Sequence, residues 1–299
     1  MSTRTALVCT ADGCAMATVR RAAGGRRELV SCHSVDGKPE EQKAVIAGWL
    51  SSERGELGAV SSVLDDYDYQ LLLVESPDVL PAELRAAVRW RLKDNIDFPV
   101  EDAVVDVFDI PEQTRRVGSK MMYTIAAKRQ AIEYQVSLFK PAARNFDVID
   151  IPEMALRNLA SQLPEAAEGL ILLWMSADSA RLLVIKESTL YLTRHVQFSS
   201  GTGEGDGQGP DVAAIALELQ RSMDYFESHY EQATIDHLIV APVGAQTDEL
   251  AKALASETSM RIQGLDIARA IDLAPGLTAT DGRSLLAIGA ALRDDQKKL

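Results

Sequence analysis

Apolar and polar positions along the chain fall into short blocks whose period switches repeatedly between that of a strand and that of a helix. In "LVCTADGCAMATV", Leu7 to Val19, two apolar runs flank Asp12-Gly13. That pair can supply the positive backbone φ of a type I′ turn, so the segment predicts a tight β-hairpin. Leu7, Cys9 and Ala11 lie on one side of the first strand, and Ala6 and Val8 on the other. Strands apolar on both sides belong to a sheet covered by helices rather than to a sandwich rim. "GRRELVSCHSV" predicts a third strand closing at Asp36-Gly37. A helix follows from Pro39 to Ser52, with Ala44, Val45, Gly48 and Trp49 at helical spacing.

"YQLLLVES" is a short apolar strand ending at Pro77, and "LPAELRAAVRWRLKDNI" is a helix. Pro81 suits the first turn of that helix, and Leu84, Val88, Leu92 and Ile96 line one stripe. Two strands, "AVVDVFDI" and "MMYTIAAK", are joined by a polar loop around Arg115 to Ser119. A helix from Arg129 to Ala142, the strand "FDVIDI" and a helix from Pro152 to Leu163-Pro164 complete a first half.

The pattern then begins again. "LILLWMSADSARLLVIKESTLYLTRHVQF" predicts three strands with turns near Ala177-Asp178 and Glu187-Ser188. After a glycine-rich loop comes a long helix with Val212, Ile215, Leu219, Met223, Phe226 and Tyr230 as its apolar seam. "IDHLIVAP" is a strand, "TDELAKALASE" a helix, "MRIQG" a strand and "SLLAIGAAL" a closing helix. Each half is a hairpin-led meander followed by alternating helices and strands, an α/β protein with mixed sheets and an internal duplication. The halves divide at residues 1–165 and 166–299.

Composition narrows the chemistry. Acids outnumber bases 44 to 31, for a net charge of -13, which argues against nucleic acid or an anionic lipid surface as the main partner. The N-terminal stretch has no apolar signal core, and "LILLWM" is far shorter than the ~20 residues of a membrane helix. Cys9, Cys14 and Cys32, even with His33, lack zinc-knuckle spacing and read as buried thiols of a reducing compartment. The loop from Ser199 to Pro210 lacks the Gly-Lys-Ser/Thr ending of a P-loop, and its Glu204 and Asp206 would repel phosphate. Asp65, Asp66 and Asp68 lack calcium-loop spacing and read as a solvated acidic turn. His33, His195, His229 and His237 form no HExxH motif, and no GxSxG elbow is present. No catalytic residue and no metal site emerges.

"NIDFPVEDAVVDVF" carries more. A helix runs into an aromatic-proline turn and then directly into a strand, with Pro99 forcing Phe98 into extended backbone. The corner is either a rigid helix-to-strand connection alone or the edge of an apolar groove for a partner segment, anchored by Trp90. "LPAELRAAVRWRLKDNIDFPVEDAVVDVFDIP" resembles the helix-proline-strand segment of PilM-type proteins, the actin-like cytoplasmic components of type IV pilus machines. "ALELQRSMDYFESHY" resembles that family's long second-half helix, and "SLLAIGAALR" its closing helix. The likeness runs in order over nearly the whole chain and is nearest to the MshI-type branch of mannose-sensitive hemagglutinin (MSHA) pili. The cytoplasmic domain of type II secretion L-type proteins is related.

The resemblance implies an actin-like ATPase fold: two ribonuclease-H-like halves about a cleft, with a small subdomain, about residues 77–150, inserted in the first. It implies a cytoplasmic protein at the inner-membrane face that binds the cytoplasmic segment of a bitopic inner-membrane protein. The partner-binding residues expected are Trp90, Ile96, Phe98 and Pro99, with Val105 and Val107 beside them. The resemblance also implies ATP with magnesium, but the phosphate loops depart from its pattern. Cys9 stands where an Asp would place the metal and Ala11 where a Gly would admit phosphate. Trp174 and Ser176 replace the Asp and Gly of the second loop, and Pro242-Val243 replaces the adenosine-site Gly-Gly. Asp12, Gly13, Ser176, Asp178 and Glu218 are the groups left if nucleotide is retained. The expected function is a non-catalytic scaffold without cofactor; the alternatives are an ATP-binding switch or slow ATPase, and an L-type secretion domain.

Overall fold

A computed structural model describes residues 2–22, 25–53, 57–111, 120–139, 146–176, 179–197, 211–230, 234–242, 244–277 and 281–294. Strands β1 (Ser2–Thr10), β2 (Gly13–Arg21) and β3 (Arg27–Asp36) form an antiparallel meander, followed by helix α1 (Pro39–Ser52) and strand β4 (Ala59–Val63), parallel to β1. The chain then leaves to build a small antiparallel sheet from β5 (Tyr69–Glu75), β6 (Ala103–Asp109) and β7 (Met121–Lys128), covered by α2 (Leu84–Arg91). It returns through α3 (Arg129–Phe139) to β8 (Phe146–Asp150) and α4 (Pro152–Ala160).

The second half repeats the first. β9 (Leu170–Met175), β10 (Ser179–Lys186) and β11 (Thr189–Gln197) form its meander. Then come α5 (Val212–Tyr230), β12 (His237–Ala241), α6 (Ala245–Glu257) and β13 (Arg261–Gly264). The chain finally crosses back through α7 (Ile267–Ala270). β14 (Asp272–Leu273) adds to the edge of the first sheet, and α8 (Gly282–Ala291) packs over β1 and β2. The first large sheet has the order β14-β3-β2-β1-β4-β8 and the second β11-β10-β9-β12-β13, the same permutation of meander and crossover strands.

Four apolar clusters follow from this layering. α1 and α3 cover the outer face of the first sheet over Leu7, Met16, Ile46 and Leu50. α5 and α6 cover the outer face of the second over Leu182, Phe226 and Leu254. α4 and α8 fill the space between the halves, where Ala155, Leu159 and Ile288 meet strands of both sheets. α2 covers the small sheet over Val88, Leu92 and Met122.

Several expectations are corrected here. Thr10 pairs with Gly13, so the hairpin turns on Ala11-Asp12 and without positive φ at either Asp12 or Gly13. Gly13 is required by space instead: a methyl group there would lie 2.6 Å from the Val35 carbonyl oxygen. The α1 stripe is Gln42, Ile46 and Leu50, while Ala44 and Gly48 face solvent. Apolar residues surround that helix, so its spacing leaves the buried side undetermined. Helix α2 stops at Arg91 rather than Ile96; Leu92 to Asn95 continue as a turn in which Asn95 Nδ2 donates to the Arg91 carbonyl at 2.9 Å. Such local side-chain bonds compete with helix continuation. The small sheet with its helix spans 69–128, whereas β8 belongs to the first large sheet. The second hairpin turns at Glu187-Ser188 as expected, with Glu187 at φ 54. The turn at Ala177-Asp178, the loop from Arg115 to Ser119, residues 140–142 and the loop from Ser199 to Pro210 lie outside the described residues.

Candidate functional site

Two concavities stand out. The first, about 390 Å³, lies between the halves at the carboxyl ends of β1 and β9. Thr10, Asp12, Trp174, Ser176, Arg181 and Arg283 line it. Asp12 accepts from Thr10 Oγ1 at 2.6 Å and pairs with Arg283 at 3.1 Å, and these contacts hold its carboxyl below the ordinary range. Arg283 also pairs with Asp36. Asp281, the N-cap of α8, accepts from the Ser284 backbone N–H at 3.0 Å and Oγ at 2.5 Å. Burial pushes the Asp281 carboxyl up, but these bonds, with Ser34 and Arg283, outweigh it and lower its pKa.

Deeper in the cleft, Arg181 from β10 pairs with Glu153 of α4 at 3.0 Å and with Asp66 at 2.7 Å. Tyr69 Oη donates to the second oxygen of Glu153 at 2.7 Å. Burial alone would lower the Arg181 pKa, yet the facing charges, Glu153 first, raise it above its ordinary value. This network joins the second half, α4 and the root of the small sheet. Sequence reasoning missed it because its members lie far apart in the chain.

A magnesium nucleotide does not fit these residues. The thiols at Cys9 and Cys14 are both raised by burial, Cys14 to about 11, so neither supplies an anionic ligand near neutrality. Trp174 is buried, its indole packed so closely on Gly282 that a methyl there would lie 3.2 Å from Cζ2. The α8 N-terminus, where a phosphate could be received, already holds Asp281. Among the groups expected to remain for nucleotide, Asp12 and Ser176 line the cleft, and Gly13 abuts Arg283 at its edge. Glu218 lies on α5, paired with Arg194 and Arg221 at 3.7 Å each, and does not line the cleft. Asp178 and Val243 lie outside the described residues. Among the described residues no group of three or more His, Cys, Asp or Glu could hold a metal ion.

The second concavity is a groove of about 600 Å³ between β6 and β8. β6 ends the small sheet and β8 ends the first large sheet, so two strand edges without strand partners among the described residues frame it. Val104 and Phe108 line one side, Val148 and Ile149 the other, and Ile132 and Val136 of α3 one end. Its four carboxylates each face a cation: Asp106 faces Arg85 at 2.9 Å, Asp109 Lys120 at 2.7 Å, Asp150 Arg293 at 2.7 Å, and Asp147 Arg4 at a looser 4.0 Å. An apolar channel between open edges can accept an extended segment by main-chain pairing.

The residues expected to bind a partner divide. Val107 lines the groove and Val105 an adjoining pocket. Ile96 and Phe98 pack into the core beneath α2, Pro99 is exposed beside them, and Trp90 is 77% exposed on the outer face of α2. The six are therefore not gathered in one groove. Sequence reasoning missed Val104 and Phe108 because the strand is apolar on both faces; only the packing of α2 decides which face is core.

No protein-family model and no curated protein matches the chain. Among solved structures it is similar to a PilM–PilN type IV pilus biogenesis complex, with a TM-score of 0.67, 18% identity, and 97% of each chain covered. It is also similar to the cytoplasmic domain of EpsL, an inner membrane component of the type II secretion system of Vibrio cholerae, with a TM-score of 0.52, 15% identity, and coverage of 98% and 97%. A protein of unknown function with an actin-like ATPase fold, from Bacteroides thetaiotaomicron, aligns with a TM-score of 0.52, 8% identity, and coverage of 91% and 93%. With two sheets of one strand order facing each other across α4 and α8, and these neighbours over almost its full length, the chain has an actin-like ATPase fold.

Proposed function

We propose that this protein is a non-catalytic cytoplasmic scaffold of type IV pilus biogenesis, of the MSHA type. It binds the cytoplasmic segment of a bitopic inner-membrane protein and is held at the membrane face through that partner. The apolar groove between β6 and β8 carries the reading: two strand edges without strand partners among the described residues are suited to an extended peptide. Among the described residues no helix is long and apolar enough to cross a membrane, which fits attachment through a partner. The similarity to the EpsL cytoplasmic domain supports a second reading, a type II secretion component using the same groove.

Val136 is 38% exposed on the groove wall, so Val136→Asp should leave folding intact. Calorimetric titration with the amino-terminal cytoplasmic peptide of a PilN-type bitopic pilus protein should show at least a ~10-fold loss of affinity in that variant. Unchanged affinity would remove the groove from consideration. The same titration with the corresponding peptide of an L-type system's partner separates the two readings.

The scaffold reading also predicts a cleft indifferent to nucleotide. A ligand at 100 times its Kd stabilises a protein by ~2.7 kcal/mol, which is ~4 °C for a chain of this size. Adding Mg-ATP to millimolar excess should therefore move the melting temperature by less than about 1 °C. A saturable, magnesium-dependent rise of several degrees would favour the ATP-binding switch instead.

A further inference from the structure

Beside the groove, along the outer edge of β6, lies a pocket of about 380 Å³. It shares Arg85 and Val104 with the groove, so the two adjoin. Three arginines line it: Arg85 and Arg89 from α2, and Arg129 at the start of α3. Arg85 is matched by Asp106 at 2.9 Å. Arg89 donates through Nε and Nη2 to the Val100 carbonyl at 3.0 and 2.7 Å, and through Nη2 to the Glu101 carbonyl at 2.8 Å. Arg129 Nη2 reaches that same Glu101 carbonyl at 3.4 Å.

Two guanidinium groups thus converge on one backbone oxygen, and among the described residues neither has a carboxylate within the 4.0 Å of an ion pair. Glu101 is exposed and offers these cations its backbone oxygen, and the exposed Asp102 beside it makes no ion pair with either. In a chain of net charge -13 this is an inversion of the general balance. Like charges held close repel, and an anion placed between them removes the repulsion while making charge-assisted, forked hydrogen bonds. The groove's own acids lie against other cations: Asp106, Asp109, Asp147 and Asp150 face Arg85, Lys120, Arg4 and Arg293.

We infer that the segment docked in the groove carries an acidic side chain, Asp or Glu, seated between Arg89 and Arg129 while flanking apolar residues fill the channel toward Val136. This rests on the groove being the docking site and adds the charge of the partner at one position. A strand lying along β6 presents its side chains alternately to the two faces, so the acidic position stands at a fixed spacing from the apolar anchors.

The test is selection of a random decapeptide library, fused at its C-terminus to a carrier so that no free terminal carboxylate is present. Binding to the wild-type protein should enrich Asp or Glu at one position with a constant spacing to apolar residues. Replacing that acid by Asn or Gln in an enriched peptide should weaken binding about tenfold, and so should Arg129→Gln. Arg89 also braces the Val100 carbonyl, whereas Arg129→Gln gives up a single 3.4 Å bond and should melt like the wild type, which separates lost charge from lost folding. Apolar peptides enriched without an acidic position, with Val136→Asp abolishing their capture, would overturn the inference and leave the groove standing. No enrichment by the wild type, or enrichment that survives Val136→Asp, would overturn both.

Discussion

Replacing Arg181 by methionine is expected to destabilise the protein by about 3–5 kcal/mol, because removing one member of a buried ionic network strands the others. Arg181 is 7% exposed, and its side chain is shared between Glu153 at 3.0 Å and Asp66 at 2.7 Å. The Glu153 side chain is only 6% exposed, so in the variant its buried charge would keep the Tyr69 hydroxyl, 2.7 Å away, but lose its facing cation. Adding Glu153→Gln should recover most of the loss. A neutral amide oxygen still accepts from Tyr69, and the buried charge is gone. Urea unfolding midpoints of the wild type, the single variant and the double variant check this; a double variant no more stable than the single would show that packing rather than charge governs the site.

Gly289→Ala should also destabilise the protein, against the ordinary helix preference. Alanine in a helix interior normally gains ~1 kcal/mol over glycine. At Gly289, however, α8 crosses α4 so closely that a methyl would overlap the Ala155 carbonyl, with its carbon 2.7 Å away. Asn158 of α4 donates to the Gly289 carbonyl at 3.1 Å, so separating the helices also breaks that bond. Overpacking against backbone costs about 1–3 kcal/mol and occasionally more, enough to reverse the propensity gain. Gly48 provides the contrast. A methyl added there, in α1, would meet no neighbouring atom within 4 Å, so Gly48→Ala should stabilise by ~0.5–1 kcal/mol. Opposite signs in thermal melts are the expected result, and a stabilising Gly289→Ala would refute the close crossing.

The architecture was legible where periodicity is strong and local. The α5 seam from Val212 to Tyr230 packs as its spacing predicts, and the two meanders fall where apolar runs break at turns. What was hidden depended on contacts across the chain. β14 is two residues long and exists as a strand only because β3 lies beside it. The strand "AVVDVFD" reads as apolar on both faces. Its division into core (Val105, Val107) and groove (Val104, Phe108), with Val107 also touching the groove, waits on where α2 packs. The ion pair of Arg181 and Asp66 joins residues 115 positions apart, and no spacing rule reaches that far. Cys9, Ala11, Trp174 and Ser176 could be read directly from the chain, whereas the meeting of Trp174 and Arg283 in one cleft needed the fold.

The small sheet is rooted at its first strand, where Asp66 and Tyr69 clasp Arg181 and Glu153. On the proposed docking, load on β6 would reach the body of the protein by two routes: through β7 and β5 to that clasp, and through β7 into α3, which follows it directly in the chain. The inserted sheet is thus tied to the first half through α3 and to the second through the arginine.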